Sequence, residues 1–380
     1  MKKRHWRLVI VFLLLLFLLS LGLRYGLGYL RNTEEEEEIL EEEQENLESS
    51  LKLSVISEIK MTKDPRDNFD EIFAGDNLVI YYEKGELKAM DLSNKELWTR
   101  KFDPELILGK NVARVLVVEK NKGNVYHIAN DGEIIGSVLG LGEIDSASLS
   151  QDNKTLLFFR DNRRVVVLDE YLNKTADIVV DNGAIINYSV STKLETLNIL
   201  TLEEQEGELI SRLYVYSMEG RVIQSRRESM LALNIYSSDR DSLIVYQRGI
   251  QFYDENFEPR EDFISTNKVV YSTKEGFHLY LVTGSANHLD EEGELEFSSY
   301  SLSSRKLEFT NKISDTYDNI YARGGMVLAS YKNTLDLYDL HGNLLHSEVL
   351  DFPIKKAMLL DEEKLAVFDG SRFTLFKIEF

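Results

Sequence analysis

The sequence predicts an all-β chain, an eight-bladed β-propeller preceded by one transmembrane helix. Three observations carry this. An unbroken apolar run from Leu8 to Leu23 follows a basic N-terminus. Helical periodicity disappears after about residue 70. From there a strand–turn–strand pattern recurs eight times at spacings of roughly 40 residues, the length of one four-stranded blade.

The apolar run reads LVIVFLLLLFLLSLGL and contains no charge. Sixteen helical residues cover about 24 Å at about 1.5 Å each. Tyr25, Leu27 and Leu30 lengthen the stretch to a full span while Arg24 snorkels. The helix is assigned to residues 8–30, with Leu8, Phe12, Leu16 and Leu23 in the anchor and Trp6, Tyr25 and Tyr29 at the two interfaces. Lys2, Lys3, Arg4 and Arg7 precede it and glutamates follow it, so the positive-inside rule leaves residues 1–7 in the cytoplasm and the rest outside. A cleaved signal peptide has the same layout, but Gly22-Leu23-Arg24-Tyr25 offers no small-x-small cleavage site, which favours an uncleaved anchor.

Residues 31–50 contain the acidic runs Glu34–Glu38 and Glu41–Glu43, the pattern of a solvated stalk. Ile39, Leu40, Leu47 and Leu51 give only a thin apolar stripe for a self-associating helix. The acidity extends through the chain. Six of its 44 basic residues and none of its 65 acidic ones precede Asn32, and the whole carries a formal charge of −21. Such a surface repels phosphate backbones, which argues against nucleic acid as a partner, and it suits a basic partner or bound divalent cations. Cysteine is absent, so disulfides, thiolate metal sites and thiol nucleophiles are all excluded.

The repeat is clearest where the second strand of each hairpin meets a polar turn. The anchors are Met90, Ile128, Leu168, Tyr216, Tyr253, Tyr300 and Tyr338, spaced by 38, 40, 48, 37, 47 and 38 residues. An eighth hairpin ends with the strand RFTLFKIEF at the end of the chain, one strand short of a blade. Residues 51–61 belong to no hairpin and are expected to supply the missing strand, closing the ring and removing its open edges. Seven blades is the alternative count. Gly249, Gly293 and Gly370 are placed in hairpin turns that require positive φ.

Chemistry is sparse. His127, His278, His288, His341 and His346 show no metal-ligand spacing, and no P-loop, dinucleotide fingerprint or nucleophile elbow occurs. No catalytic, cofactor-binding or metal-binding residue is assigned. Tyr81, Tyr82, Tyr214, Tyr216, Tyr246, Tyr253 and Tyr280 fall in strands and are expected to pack there. Two insertions lengthen the fourth and sixth blades and are expected to leave the ring as acidic loops on the same side. Glu203, Glu204 and Glu206 lie in one, and Asp290, Glu291 and Glu292 in the other. They are the candidate contacts for a basic partner.

The segment AMDLSNKELWTRKF from Ala89 resembles the repeat of quinoprotein-like propellers, with Asp91 and Trp98 standing for its aspartate and tryptophan and Asn94-Lys95 replacing its Thr-Gly pair. The layout of one anchor and a propeller ectodomain is also similar to an uncharacterised family of Firmicutes envelope proteins. The quinoprotein-like resemblance implies either a quinone dehydrogenase or a non-enzymatic scaffold. The dehydrogenase branch uses a vicinal disulfide and a tryptophan floor, which this cysteine-free chain cannot build. The expected function is therefore a binding scaffold or sensor in the cell envelope, held in the bilayer by its helix, without cofactor, and engaging another envelope or membrane protein. The alternative is an enzyme of carbohydrates or envelope polymers using carboxylates at the propeller funnel.

Overall fold

The computed structural model describes residues 51–60, 73–75, 78–83, 85–93, 95–111, 113–238, 241–260, 263–284, 295–313, 319–323 and 325–379. Among them are eight four-stranded antiparallel sheets, the blades of an eight-bladed propeller. No helix of the described residues is long and apolar enough to cross a membrane. The segment 8–30 expected to do so, with Leu8, Phe12, Leu16 and Leu23, lies outside them.

The first strand of the chain, β1 (Lys52–Lys60), belongs to the last blade. Blade 1 is β2 (Phe73–Gly75), β3 (Leu78–Glu83), β4 (Glu86–Asp91) and β5 (Glu96–Lys101). Blade 2 is β6 (Leu106–Lys110), β7 (Arg114–Glu119), β8 (Asn124–Ala129) and β9 (Ile134–Val138). Blade 3 is β10 (Ile144–Leu149), β11 (Thr155–Phe159), β12 (Arg164–Leu168) and β13 (Lys174–Val179). Blade 4 is β14 (Ala184–Ser191), β15 (Thr196–Gln205), β16 (Glu208–Ser217) and β17 (Val222–Arg227). Blade 5 is β18 (Ala232–Ser237), β19 (Ser242–Tyr246), β20 (Gly249–Tyr253) and β21 (Ile264–Ser265). Blade 6 is β22 (Lys268–Glu275), β23 (His278–Gly284), β24 (Leu295–Ser301) and β25 (Lys306–Ile313). Blade 7 is β26 (Asn319–Arg323), β27 (Met326–Tyr331), β28 (Thr334–Asp339) and β29 (Leu344–Val349). Blade 8 is β30 (Lys356–Asp361), β31 (Lys364–Phe368) and β32 (Arg372–Glu379), completed by β1.

The first strands of the blades form the inner wall, and β30 lies beside β2, which closes the circle. The middle two strands of each blade hold most of the core. Leu78–Glu83 and Thr155–Phe159 are buried at every position, because both of their faces pack against neighbouring blades. The seven strand tyrosines are buried as well, each no more than 5% exposed.

The turn that marks the repeat has a physical cause. In six blades the third-to-fourth strand pairing slips by one residue at the anchor, at Met90, Ile128, Leu168, Tyr216, Tyr300 and Tyr338. Each slip is a β-bulge that leaves one extra residue on the outer strand. In blades 1, 3, 5 and 7 the next residue is an aspartate, and one oxygen of Asp91, Asp169, Asp254 or Asp339 accepts the backbone N–H groups two and four positions on. Blades 2, 4 and 6 carry Ala129, Ser217 and Ser301 instead. At Asp91 the Ser93 hydroxyl and the Lys95 N–H hold the carboxyl below the usual range.

These turns also join the blades. Trp98 of β5 lies over the blade 2 turn, where its indole N–H donates to Asn130 O (3.0 Å) and a Cβ on Gly132 would stand 2.5 Å from its ring. Phe309 of β25 occupies the same place over Gly342 of blade 7. Between blades 2 and 3 the arrangement is inverted. Leu172 of the blade 3 turn, 4% exposed at φ 64°, reaches back over Gly136 of β9. Gly249, placed in a turn by its sequence context, instead opens β20, where a Cβ would lie 2.3 Å from the Phe263 ring. Gly370 does sit in a turn, at φ 100°, and Gly293 lies outside the described residues.

Candidate functional site

Each blade is an antiparallel meander. The turn between its second and third strands therefore shares a face of the disc with the link to the next blade, and the other two turns occupy the opposite face. β1 pairs with β32 from Lys52 opposite Glu379 to Lys60 opposite Arg372. Its first residue thus lies on the face of the bulged aspartate turns. The turn between β15 and β16 lies on the other face.

That turn is the most prominent projection among the described residues. β15 and β16 pair without interruption from Thr196–Ser217 to Gln205–Glu208. β14 reaches only Leu202, and β17 meets β16 only from Arg212 to Tyr216. Residues 203–210 consequently leave the blade as a two-stranded finger. Glu206 and Gly207 close it with φ of 56° and 83°, the paired positive values of a tight hairpin turn. The acidic loop expected here is thus a strand extension, because Glu203 and Glu204 continue the pairing of β15. Glu203 is tied to Arg212 at 3.2 Å, whereas Glu204 and Glu206 are exposed beside Leu209, itself 59% exposed. Asp290, Glu291 and Glu292 lie outside the described residues.

The described innermost strands carry more basic residues, Lys110, Lys268, Lys274, Arg323 and Lys356, than carboxylates. On the described innermost strands the carboxylates are Asp145, Glu275 and Asp361, on blades 3, 6 and 8. No two neighbouring blades bring acids together there. Among the described residues no group of three or more histidines and carboxylates is placed to hold a metal ion. An amide and hydroxyl ladder runs across three blades instead. Asn187 donates to Asn234 (2.6 Å), Asn234 donates to Ser272, and the Tyr236 hydroxyl donates to Ser272 O (2.9 Å). Burial pushes the Tyr236 phenol up to about 12. Bulges in β10, β14, β18 and β22 set Asp145, Ile186, Leu233 and Val270 at the mouth of the funnel, on the face of the acidic finger.

Two buried polar clusters join blades, and sequence reasoning did not find either. His127 is 1% exposed between Arg114, which donates to Nδ1 (3.2 Å), and Thr155, which receives the Nε2 proton (2.8 Å). Burial and the Arg114 charge lower its pKa from 6.5 to about 4, so the ring is neutral. Glu228 accepts from Arg226 (2.7 Å) and from the Tyr246 hydroxyl (2.6 Å), and Tyr246 meets the Tyr253 hydroxyl at 2.7 Å. Burial and the Glu228 charge raise the Tyr246 pKa strongly. A signal for the first cluster was available, since His127 stands in a run of core residues, VYHIA, and not in a turn.

The fold has clear relatives among solved structures. BamB from Moraxella catarrhalis aligns with a TM-score of 0.58 at 11% identity, covering 86% of this chain and all of that one. The C-terminal WD40 domain of Sif2 aligns at 0.61 and 9% identity, over 86% and 99% of the two chains. The β-propeller domain of Cps50 (Swd1) from Myceliophteria thermophila gives 0.51 at 11% identity, over 86% and 99%. At these identities the likeness is one of fold alone. No curated protein matches the sequence. A family model described as "Family of unknown function (DUF5711)" matches residues 47–378, and the chain belongs to that family.

Proposed function

We propose that this protein is a membrane-anchored, extracytoplasmic binding scaffold whose working surface is the face of the disc turned away from its tether. The observation that carries the reading is the direction of β1. Lys52 opens β1 on the face of the aspartate turns, while the acidic finger at Glu203–Ile210 and the funnel mouth open on the other. A tether at residues 8–30 would then present the finger to partners and keep the opposite face toward the bilayer. Exposed Glu204 and Glu206, the formal charge of −21 and the exposed Leu209 suit a basic protein surface with an apolar contact at its centre. The carbohydrate-active alternative finds little support in the described funnel wall, where Asp145, Glu275 and Asp361 stand on separate, non-adjacent blades.

The cysteine-free sequence makes the test direct, because Glu206→Cys supplies the one thiol of the chain. In intact cells expressing the full-length variant, a membrane-impermeant maleimide should label it. Labelling only after the membrane is broken would overturn the extracytoplasmic placement. A photocrosslinker at the same thiol should then capture a discrete protein, and the same reagent on the opposite face, at His341→Cys, should not. Equal capture from both faces would refute the assignment of the working surface.

A further inference from the structure

We propose that the outer edge of blade 2 is a docking site for an extended segment of another protein, apolar along most of its length and basic at one end. The site is distinct from the acidic finger, lies on the rim of the disc, and does not depend on the membrane reading. Outer strands leave alternate N–H and C=O groups unpaired, and proteins usually blunt such edges with charge. Seven of the eight outer strands fit that expectation or are too short to matter. β1 has Lys52, Glu58 and Lys60, β5 has Glu96, Arg100 and Lys101, and β13 has Lys174 and Asp177. β17 has Arg226 and Arg227, β25 has Lys306, Glu308 and Lys312, β29 has Glu348, and β21 is two residues long.

β9 is different. Its sequence, IIGSV, carries no charge, and the uncharged stretch continues from Ile134 through Gly142. The bulge that skips Ile135 turns two successive side chains outward, leaving Ile134 and Ile135 45% and 50% exposed. Beyond the bulge Gly136, Ser137 and Val138 keep regular register with β8, and Leu139 follows at 62% exposure. Blade 3 extends the patch, because Leu172 packs on Gly136 and its neighbour Tyr171 is 73% exposed. β17 has a similar outward pair, Val222 and Ile223, but two arginines guard it.

Strand addition uses both halves of such a surface: backbone pairing supplies affinity and alternate side chains supply specificity. One end of the edge sets the charge of the partner. Asp131 and Glu133 are exposed in the turn before β9, whereas past the other end the chain crosses toward β10 and Glu143 pairs with Arg160 at 3.0 Å. A second copy of this chain, at −21, would be repelled, whereas a basic end on an apolar strand would meet Asp131 and Glu133.

The probe is a phage library of random twelve-residue peptides panned on the full-length protein. Enriched peptides should share an alternating apolar core with Lys or Arg at one end. They should bind at least ten-fold more weakly to Ile135→Lys and to Leu139→Lys, and equally well to Leu97→Lys on the charged edge of blade 1. Hydrogen exchange on the complexes should show new protection within residues 134–139, a readout independent of whether either lysine variant is less stable. No enrichment, or enriched peptides indifferent to both lysine substitutions and giving no protection there, would overturn the proposal. A concentration-dependent dimer that Ile135→Lys abolishes would assign the edge to a second copy and overturn it equally.

Discussion

The joint between blades 1 and 2 and the joint between blades 2 and 3 fill the same place by opposite means. In the first, a large outer-strand residue, Trp98, lies over a glycine turn at Gly132. In the second, the turn supplies the bulk, Leu172, and the outer strand supplies the glycine, Gly136. Gly132 at φ 89° and Leu172 at φ 64° share one left-handed backbone state. What is preserved around the ring is the filled volume of each joint and not the residue that fills it, as close packing demands. A repeat built this way keeps its geometry while its sequence signature fades.

Swapping the partners is the strongest way to break this comparison. Gly132→Leu should destabilise the protein by about 3–5 kcal/mol, since a Cβ there meets Trp98 and a left-handed backbone is costly for any residue but glycine. Adding Trp98→Gly should restore a good part of that loss in chemical denaturation. A double variant no more stable than Gly132→Leu alone would show that the two joints are not equivalent. Leu172→Ala should cost about 2–4 kcal/mol, because the methyl groups it removes are fully enclosed between blades 2 and 3.

Acid should discriminate between these joints as well, because His127 lies between blades 2 and 3. Its folded pKa of about 4 lies below the ordinary 6.5, so between those values the unfolded chain binds the proton first. The stability contributed by the neutral ring is complete above about pH 6.5 and is lost as pH falls toward 4, up to about 3 kcal/mol. His127→Gln should flatten that part of the pH–stability profile, and an unchanged slope would place the acid sensitivity elsewhere. The smallest effect is expected at the turns. Asp339→Ala should cost about 1 kcal/mol by removing the acceptor of two backbone N–H groups. Ala129→Asp should gain a few tenths of a kcal/mol by giving blade 2 what the odd blades already have.

The blade count was legible because the turn after the third strand imposes chemistry on seven blades: an aromatic or aliphatic residue at the anchor, then Asp or a small residue to hold the turn. Met90-Asp91, Leu168-Asp169, Tyr253-Asp254 and Tyr338-Asp339 are visible without coordinates. The joints were not, since Trp98 reads as a repeat signature only while its complement, Gly132, lies 34 positions away in the next blade. The partner of His127 across the joint was hidden for the same reason, as Thr155 sits in the next blade. The finger at Glu203 was read as a loop because glutamates disfavour strands. Only the Glu206-Gly207 pair, flanked by stretches of equal length, hinted at a hairpin.

Ring closure by β1 has a mechanical consequence. The strand that seals blade 8 is also the strand to which everything before residue 51 is attached. A force applied along that attachment pulls β1 lengthwise past β32, so the register from Lys52 to Lys60 is loaded in shear and its hydrogen bonds share the load together. Glu379 lies at the same end of the ladder, so pulling it and Lys52 apart opens that pair first and peels the seam one pair at a time. The same ladder should therefore rupture at very different forces, high when the segment before residue 51 is pulled against the disc and low when it is pulled against Glu379.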